Sequence, residues 1–354
     1  MKKVFNRIYL IILVTVNFSC VEKKASETEF NAESEMLLTS DTLNFTSGIG
    51  VVFQDSKGQY WLGSNEEGVS WFDGKSFRCL SIADGLPDNQ VRSIQEDEIG
   101  MIWIGTANGV CSYDGKTIIH HTKSKKEDAL VQWSKTDNDL WFSAGNKAGV
   151  YRYDGHTLTY LAFPSPKVIN PNNTYHITDM AKGKNDMLWI ATYAGVFGYN
   201  GKEFTIINDE TLGFNPAINR LHIRSILEDS KGRLWIGNNG IGVLLRQGDS
   251  TFNFSEKMNL MHPTSSRRGD KSFPGTLEHV FAIQEDSVGN IWFGDRDTGP
   301  WKYDGETITN YTIDKNLDSQ MAWTIYEDQN KKLLFGMEAG GVYQFNGKSF
   351  DRMF

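Results

Sequence analysis

The chain has 354 residues, enough for one large core or two ordinary ones, and a formal net charge of −8. Aromatic residues make up 12% of it, with 10 Trp, 34 Gly and 8 Pro, a mixture that favours short strands and tight turns over helices. The acidic balance argues against broad attraction to nucleic acid, and 3 Cys are too few for a disulfide framework.

The chain opens with a basic stretch, "MKKVFNR", a short apolar run, "IYLIILVTV", and "NFSC". The apolar run is too short for a membrane span and suits a signal peptide. This order predicts a lipoprotein signal over residues 1–19, with Cys20 as the lipidated first residue of the mature protein. Loss of Lys2, Lys3 and Arg7 would take the formal charge from −8 to −11. Residues 20–40 are charged, lack Gly and show no period, so they read as a flexible tether. Val21 is not acidic, which suits sorting to the outer membrane, facing the periplasm or the cell surface. Cys79 and Cys111 either pair or serve as small buried apolar residues.

From residue 41 to residue 354 one unit repeats. Trp61, Trp103, Trp141, Trp189, Trp235 and Trp292 occupy the same slot, and Leu334 fills it in a seventh copy. The spacings are 42, 38, 48, 46, 57 and 42 residues, the length of one four-stranded sheet. In each copy an alternating strand such as "VRSIQED" ends in an Asp-led turn, "DSKG" at residues 55 and 229 or "DSVG" at residue 286. Asp first and Gly fourth favour a type I turn. The Trp strand follows, then a strand such as "GVCSYDG" whose Asp-Gly pair suits a two-residue hairpin, then a last short strand. A lone sheet of this kind exposes two faces and two edges; radial stacking of seven buries the faces. The prediction is an all-β, seven-bladed β-propeller of four-stranded antiparallel blades. Burying about 200 Å² per Trp contributes several kcal/mol at about 25 cal/mol/Å², so the repeated residues are read as core. Residues 41–47 ("DTLNFTS") would add a strand or tie the chain ends by pairing with the last blade.

The text "DSKGRLWIG" followed by "GV" and "YDG" resembles the two-component regulator propeller repeat, over residues 47–354. That resemblance implies an extracytoplasmic sensor module of the kind found in bacterial hybrid two-component systems, many of which respond to oligosaccharides. No stretch of the sequence reads as a kinase or receiver domain, so the expectation is a stand-alone, lipoprotein-like sensor propeller.

Function on a repeat fold tends to lie where the copies differ. His176, His222 and His279 each precede the first apolar residue of strand one in blades four, five and six, where other blades place Gly48, Gln90, Ala129 and Met321. With Arg220, Arg224, Tyr193, Asn239, Asp295, Arg296 and Trp323 they form a candidate ligand-binding set around the central opening. Arg binds carboxylate or sulfate in a bidentate way, aromatic rings offer flat surfaces to a sugar, and Asn and Asp bond hydroxyls. The longest variable loop runs from Lys257 to His279. The expected ligand is an oligosaccharide, in particular an anionic one, or another polar small molecule, bound by a monomer without catalysis or cofactor. Two alternatives stand beside it. Several polysaccharide lyases and the streptogramin lyase share the seven-bladed fold, and His222, His279, Tyr175 and Arg224 could supply acid–base and anion-neutralising groups. The same face could instead be a scaffold for a partner protein. Three His could ligate zinc, but positions in separate blades are too far apart, so no metal is expected.

Overall fold

A computed structural model of the chain describes residues 39–122, 131–164, 175–215, 221–263 and 270–354. Cys20, the signal segment, most of the tether and Arg220 lie outside them, as does much of each long loop before blades three, four, five and six. The described residues build seven antiparallel sheets, each from strands consecutive in sequence, in a seven-bladed β-propeller. The inner strands are Ile49–Gln54, Val91–Glu96, Ile177–Lys182, Ile223–Glu228, Val280–Glu285 and Ala322–Glu327, in blades one, two, four, five, six and seven. No helix among the described residues is long and apolar enough to cross a membrane.

The repeated Trp is buried between blades, and in four copies its indole N–H is satisfied by the Asp six residues earlier. Trp61, Trp103, Trp235 and Trp292 donate Nε1 to Asp55, Asp97, Asp229 and Asp286 at 2.8, 2.9, 2.8 and 2.9 Å. The other carboxylate oxygen of each Asp takes two backbone amides of the type I turn, as Asp229 does from Lys231 and Arg233 at 2.9 Å each. One carboxylate thus closes the turn and saturates the buried indole. Where Leu334 replaces Trp in blade seven, Asp328 keeps the turn amides and accepts the Tyr60 hydroxyl of blade one at 2.6 Å.

A second set of bonds joins neighbouring blades at the end of each inner strand. Glu96 accepts the amide and hydroxyl of Ser56, both at 2.7 Å, and Glu285 accepts those of Ser230 at 2.6 and 2.5 Å. Glu327 accepts the Ser287 amide at 2.8 Å, Glu228 the Trp189 indole at 2.5 Å, and Gln54 the Gln329 amide at 3.0 Å. The last of these spans blades seven and one and closes the circle. Phe354 completes that seam, with its ring 5.2 to 5.6 Å from those of Tyr60, Phe72 and Phe77.

Two sheets depart from four strands. In blade one, Thr39–Ser40 pairs with the outer strand Phe77–Leu80 as a fifth strand. Residues 41–47 form no strand with the last blade; Thr46 and Ser47 bond Glu67, and Leu43 and Phe45 pack into the seam. Blade three has three strands among the described residues, Leu140–Ser143, Gly149–Tyr153 and Leu158–Ala162. Trp133 accounts for it. Its ring sits 5.2 Å from Tyr199 and 4.8 Å from Phe204 of blade four, and its Nε1 donates to the Ala162 carbonyl at 2.5 Å. Residues 131–136 form no strand, and Gln95 of blade two bonds the Trp141 carbonyl at 2.8 Å. Cys79 and Cys111 are both free thiols, and burial pushes that of Cys111 up to about 12.

Asp229→Ala strands the Trp235 indole and two turn amides in a buried site, and is expected to cost about 2–4 kcal/mol. Glu96→Ala, on an exposed latch, is expected to cost about 1 kcal/mol. Urea unfolding of the two variants beside the parent checks the ratio.

Candidate functional site

The mouth of the propeller is built from two positions that recur in every complete blade. The residue before the inner strand offers its carbonyl to the amide of the residue after the second strand. The pairs are Gly48 with Asn65, Gln90 with Ala107, His176 with Tyr193, His222 with Asn239, His279 with Arg296 and Met321 with Glu338, at 2.8 to 3.3 Å. This bond puts the three histidines beside Tyr193, Asn239 and Arg296. Side chains then link each pair to the next blade. The Tyr193 ring lies 6.0 Å from His176 and 4.5 Å from His222. The Asn239 amide donates to His222 Nδ1 at 3.2 Å and accepts from His279 Nδ1 at 2.7 Å. Arg296 Nη1 reaches the same Asn239 oxygen at 3.5 Å, and its Nη2 pairs with Asp297 at 2.7 Å and with the Asp270 carbonyl. A continuous polar and aromatic chain therefore runs across blades four, five and six.

Two of the predicted residues lie beneath this surface. Asp295 is fully buried and takes four backbone amides, those of Glu278, His279, Asp297 and Thr298, at 2.9 to 3.1 Å. It holds the loop that carries Arg296, and burial raises its pKa from 3.8 to about 6. His279 is also fully buried. Burial first, then the Arg296 charge, lowers its pKa from 6.5 to about 4, so the ring is neutral at neutral pH. With Nδ1–H given to Asn239, its place is to orient that amide.

Further in, each inner strand carries a bulge at its second residue, where the register with the second strand shifts. The bulged residues are Gly50, Arg92, Thr178, Arg224, Phe281 and Trp323. A bulge re-aims a side chain, and here it recurs at one register around the ring, at residues none of which is fully buried. Arg224 Nη1 donates to the Tyr193 hydroxyl at 3.1 Å, and its guanidinium lies 5.1 Å over the Tyr193 ring and 4.4 Å over Phe281. Trp323 is set apart from the histidine chain, on blade seven; a Cβ on Gly48 would meet its ring at 2.7 Å. Arg92 and Phe281 were not singled out from the sequence. Their signal was the position two residues after the one the histidines occupy, read around the blades. Among the described residues no group of three or more His, Cys, Asp and Glu is arranged to hold a metal ion.

The two-component regulator propeller model matches residues 85–108 and 218–240, the entry and Trp strands of blades two and five. Two copies of the repeat in this chain, those of blades two and five, thus match the two-component regulator propeller repeat. No curated protein matches the chain. Among solved structures it is similar to the extracellular domain of a protein assigned to a hybrid two-component system of B. thetaiotaomicron, at 21% identity and a TM-score of 0.63. A second extracellular domain from that organism, assigned to a one-component system, is 19% identical with a TM-score of 0.61. This chain is covered over 87% and 88% of its length in these two, and spans 40% of each of them. Virginiamycin B lyase from Staphylococcus aureus is 16% identical with a TM-score of 0.59, over 87% of this chain and 98% of the lyase. At these identities the likeness is one of fold.

The depressed His279 pKa has a sign that can be tested. The unfolded chain takes a proton near pH 6.5 that the folded chain refuses until about pH 4. The stabilising difference is therefore present above pH 6.5 and lost as pH falls towards 4. His279→Gln should flatten the fall of Tm with acid across that window, measured by thermal melts at fixed ionic strength. Asp295, raised to about 6, contributes the opposite slope in parent and variant alike.

Proposed function

We propose that the chain is a sensor-type binding propeller that captures a polar ligand, an oligosaccharide with acidic groups, at the mouth formed by blades four to seven. The observation that carries this reading is the chain of His176, Tyr193, His222, Asn239, His279 and Arg296, with Arg224 set between two aromatic rings behind it. It offers donors, acceptors, flat rings and positive charge on one surface, the mixture that sugar hydroxyls and carboxylates require. The solved extracellular domains similar to it are assigned to signalling systems, which supports a sensing role. On this reading the lipid on Cys20 holds the propeller at the outer membrane, and the mouth is where ligand or a partner protein that handles it arrives.

Catalysis fits the mouth less well. An acid–base group must reach the proton it moves, and His279 has no exposed surface while His222 Nδ1 is engaged by Asn239. A lyase would also leave a conjugated product visible by ultraviolet absorbance, and none is expected from uronate-containing polysaccharides.

Calorimetry against neutral and acidic glycans tests the site. His222→Ala and Arg296→Ala should each weaken binding about tenfold or more, about 1.4 kcal/mol. Parent-like binding by both variants would remove this surface from the ligand site. Cell fractionation tests the tether: Cys20→Ala should move the protein from the membrane pellet to the soluble fraction or leave it uncleaved.

A further inference from the structure

Two arginines stand at the same bulged position of inner strands in different blades. Arg92 is the bulged residue of blade two and Arg224 that of blade five. Arg224 is held by Tyr193 and Phe281, and its Nε is buried without a hydrogen bond. Arg92 is exposed, with Nη2 on the Gln90 side-chain oxygen at 2.7 Å. Neither makes an ion pair among the described residues, although other arginines of the molecule do: Arg152 with Asp139 and Arg233 with Asp229, both at 2.5 Å. Arg296 is likewise answered by Asp297. Burial makes protonated Arg224 harder to hold; Tyr193 opposes this, and the positive charges of Arg92 and Arg296 add to the effect of burial. Asp179, on the inner strand of blade four, forms an ion pair with neither arginine. Its carboxyl accepts the amides of Ile226 and Met180, and burial raises it to about 6.

Two cations with no ion pair of their own cost free energy that an anion bound between them offsets. Beside the arginines, the bulged positions of blades six and seven carry Phe281 and Trp323, while blades one and four have only Gly50 and Thr178. One side of the opening is thus aromatic, and small residues leave it room.

We infer that Arg92 and Arg224 form an oxyanion clamp inside the mouth, which takes a carboxylate or sulfate of the ligand while Phe281 and Trp323 cover the ring that bears it. This rests on the binding reading above and deepens it, naming an acidic sugar and the residues that meet its charge. The rim histidines then orient hydroxyls, and the bulged ring selects the acid.

Thermal melts of the full chain in detergent test the clamp, with sodium sulfate, sodium galacturonate and neutral galactose as probes against sodium chloride at matched ionic strength. The parent should show a saturable rise in Tm with sulfate, galacturonate or both, and none with galactose. Which of the two saturates tells a sulfate ester from a uronate. Arg92→Gln, on an exposed side chain, and Arg224→Met should each shift the midpoint at least about tenfold. Arg78→Gln, on the outer strand of blade one, should leave it unchanged. A parent with no saturable rise, or one kept in full by both variants, overturns the clamp. Acidic-glycan binding that survives both substitutions at parent strength would remove the clamp and leave the binding propeller standing. Sulfate binding lost in both variants, with no glycan bound by calorimetry, would keep the clamp and remove the saccharide.

Discussion

A carboxylate six residues before a tryptophan governs this molecule. Burying an indole between blades gains apolar contact but takes an N–H out of water, and an unsatisfied donor there would cancel much of the gain. The Asp of the type I turn resolves this, because the turn that reverses the chain also aims its second oxygen at Nε1. Turn, strand register and interblade packing therefore depend on one another, and none can drift alone. Blade seven makes the same point by exception. Without an indole, Asp328 turns its spare oxygen to Tyr60 and becomes a tie between the two ends of the ring.

That register sets the mouth. Once the second strand is fixed against the first, the amide after it must meet the carbonyl before the inner strand, and whatever side chains stand at those two positions become neighbours. Three histidines at one of them and Tyr193, Asn239 and Arg296 at the other give a connected surface without any further device. The bulge two residues further on adds a second tier, because an unpaired position in the ladder points its side chain where the pleat would not. Packing thus uses the Trp face of each blade and leaves two rim positions and one bulge position per blade free to vary.

Much of this was legible in the residues alone, and for physical reasons. The Asp-to-Trp spacing and the Asp-Gly hairpins are local, so they print a period, and seven blades follow from counting it. The histidine register was legible for the same reason, since it is measured from the apolar start of a strand. The bulges were not, because an extra residue in one strand leaves no mark until its partner is known; Arg92 and Phe281 were missed with it. Asp295 looked like a ligand residue because an acid in a loop next to Arg296 has that composition, yet its oxygens are consumed by backbone amides. Trp133 reads as an inner-strand residue, but an aromatic slot between outer strands captured it, and tertiary packing overrode the alternation.

The distribution of charge separates support from recognition at the mouth. Asp139, Asp229 and Asp297 each meet an arginine, so the fold can place a counter-ion wherever a guanidinium serves structure. Arg92 and Arg224 stand where such an acid could be accommodated, next to small bulged positions at Gly50 and Thr178, and lack one. His279 is neutral and hidden, and Asn239 is pinned from both sides, so the rim is preorganised and needs little rearrangement to meet a ligand. A rigid polar rim over an unanswered positive tier is a poor design for stability, and a good one for discriminating an acidic ligand from its neutral analogue: the analogue leaves the arginines facing each other still, whereas the acid relieves their repulsion.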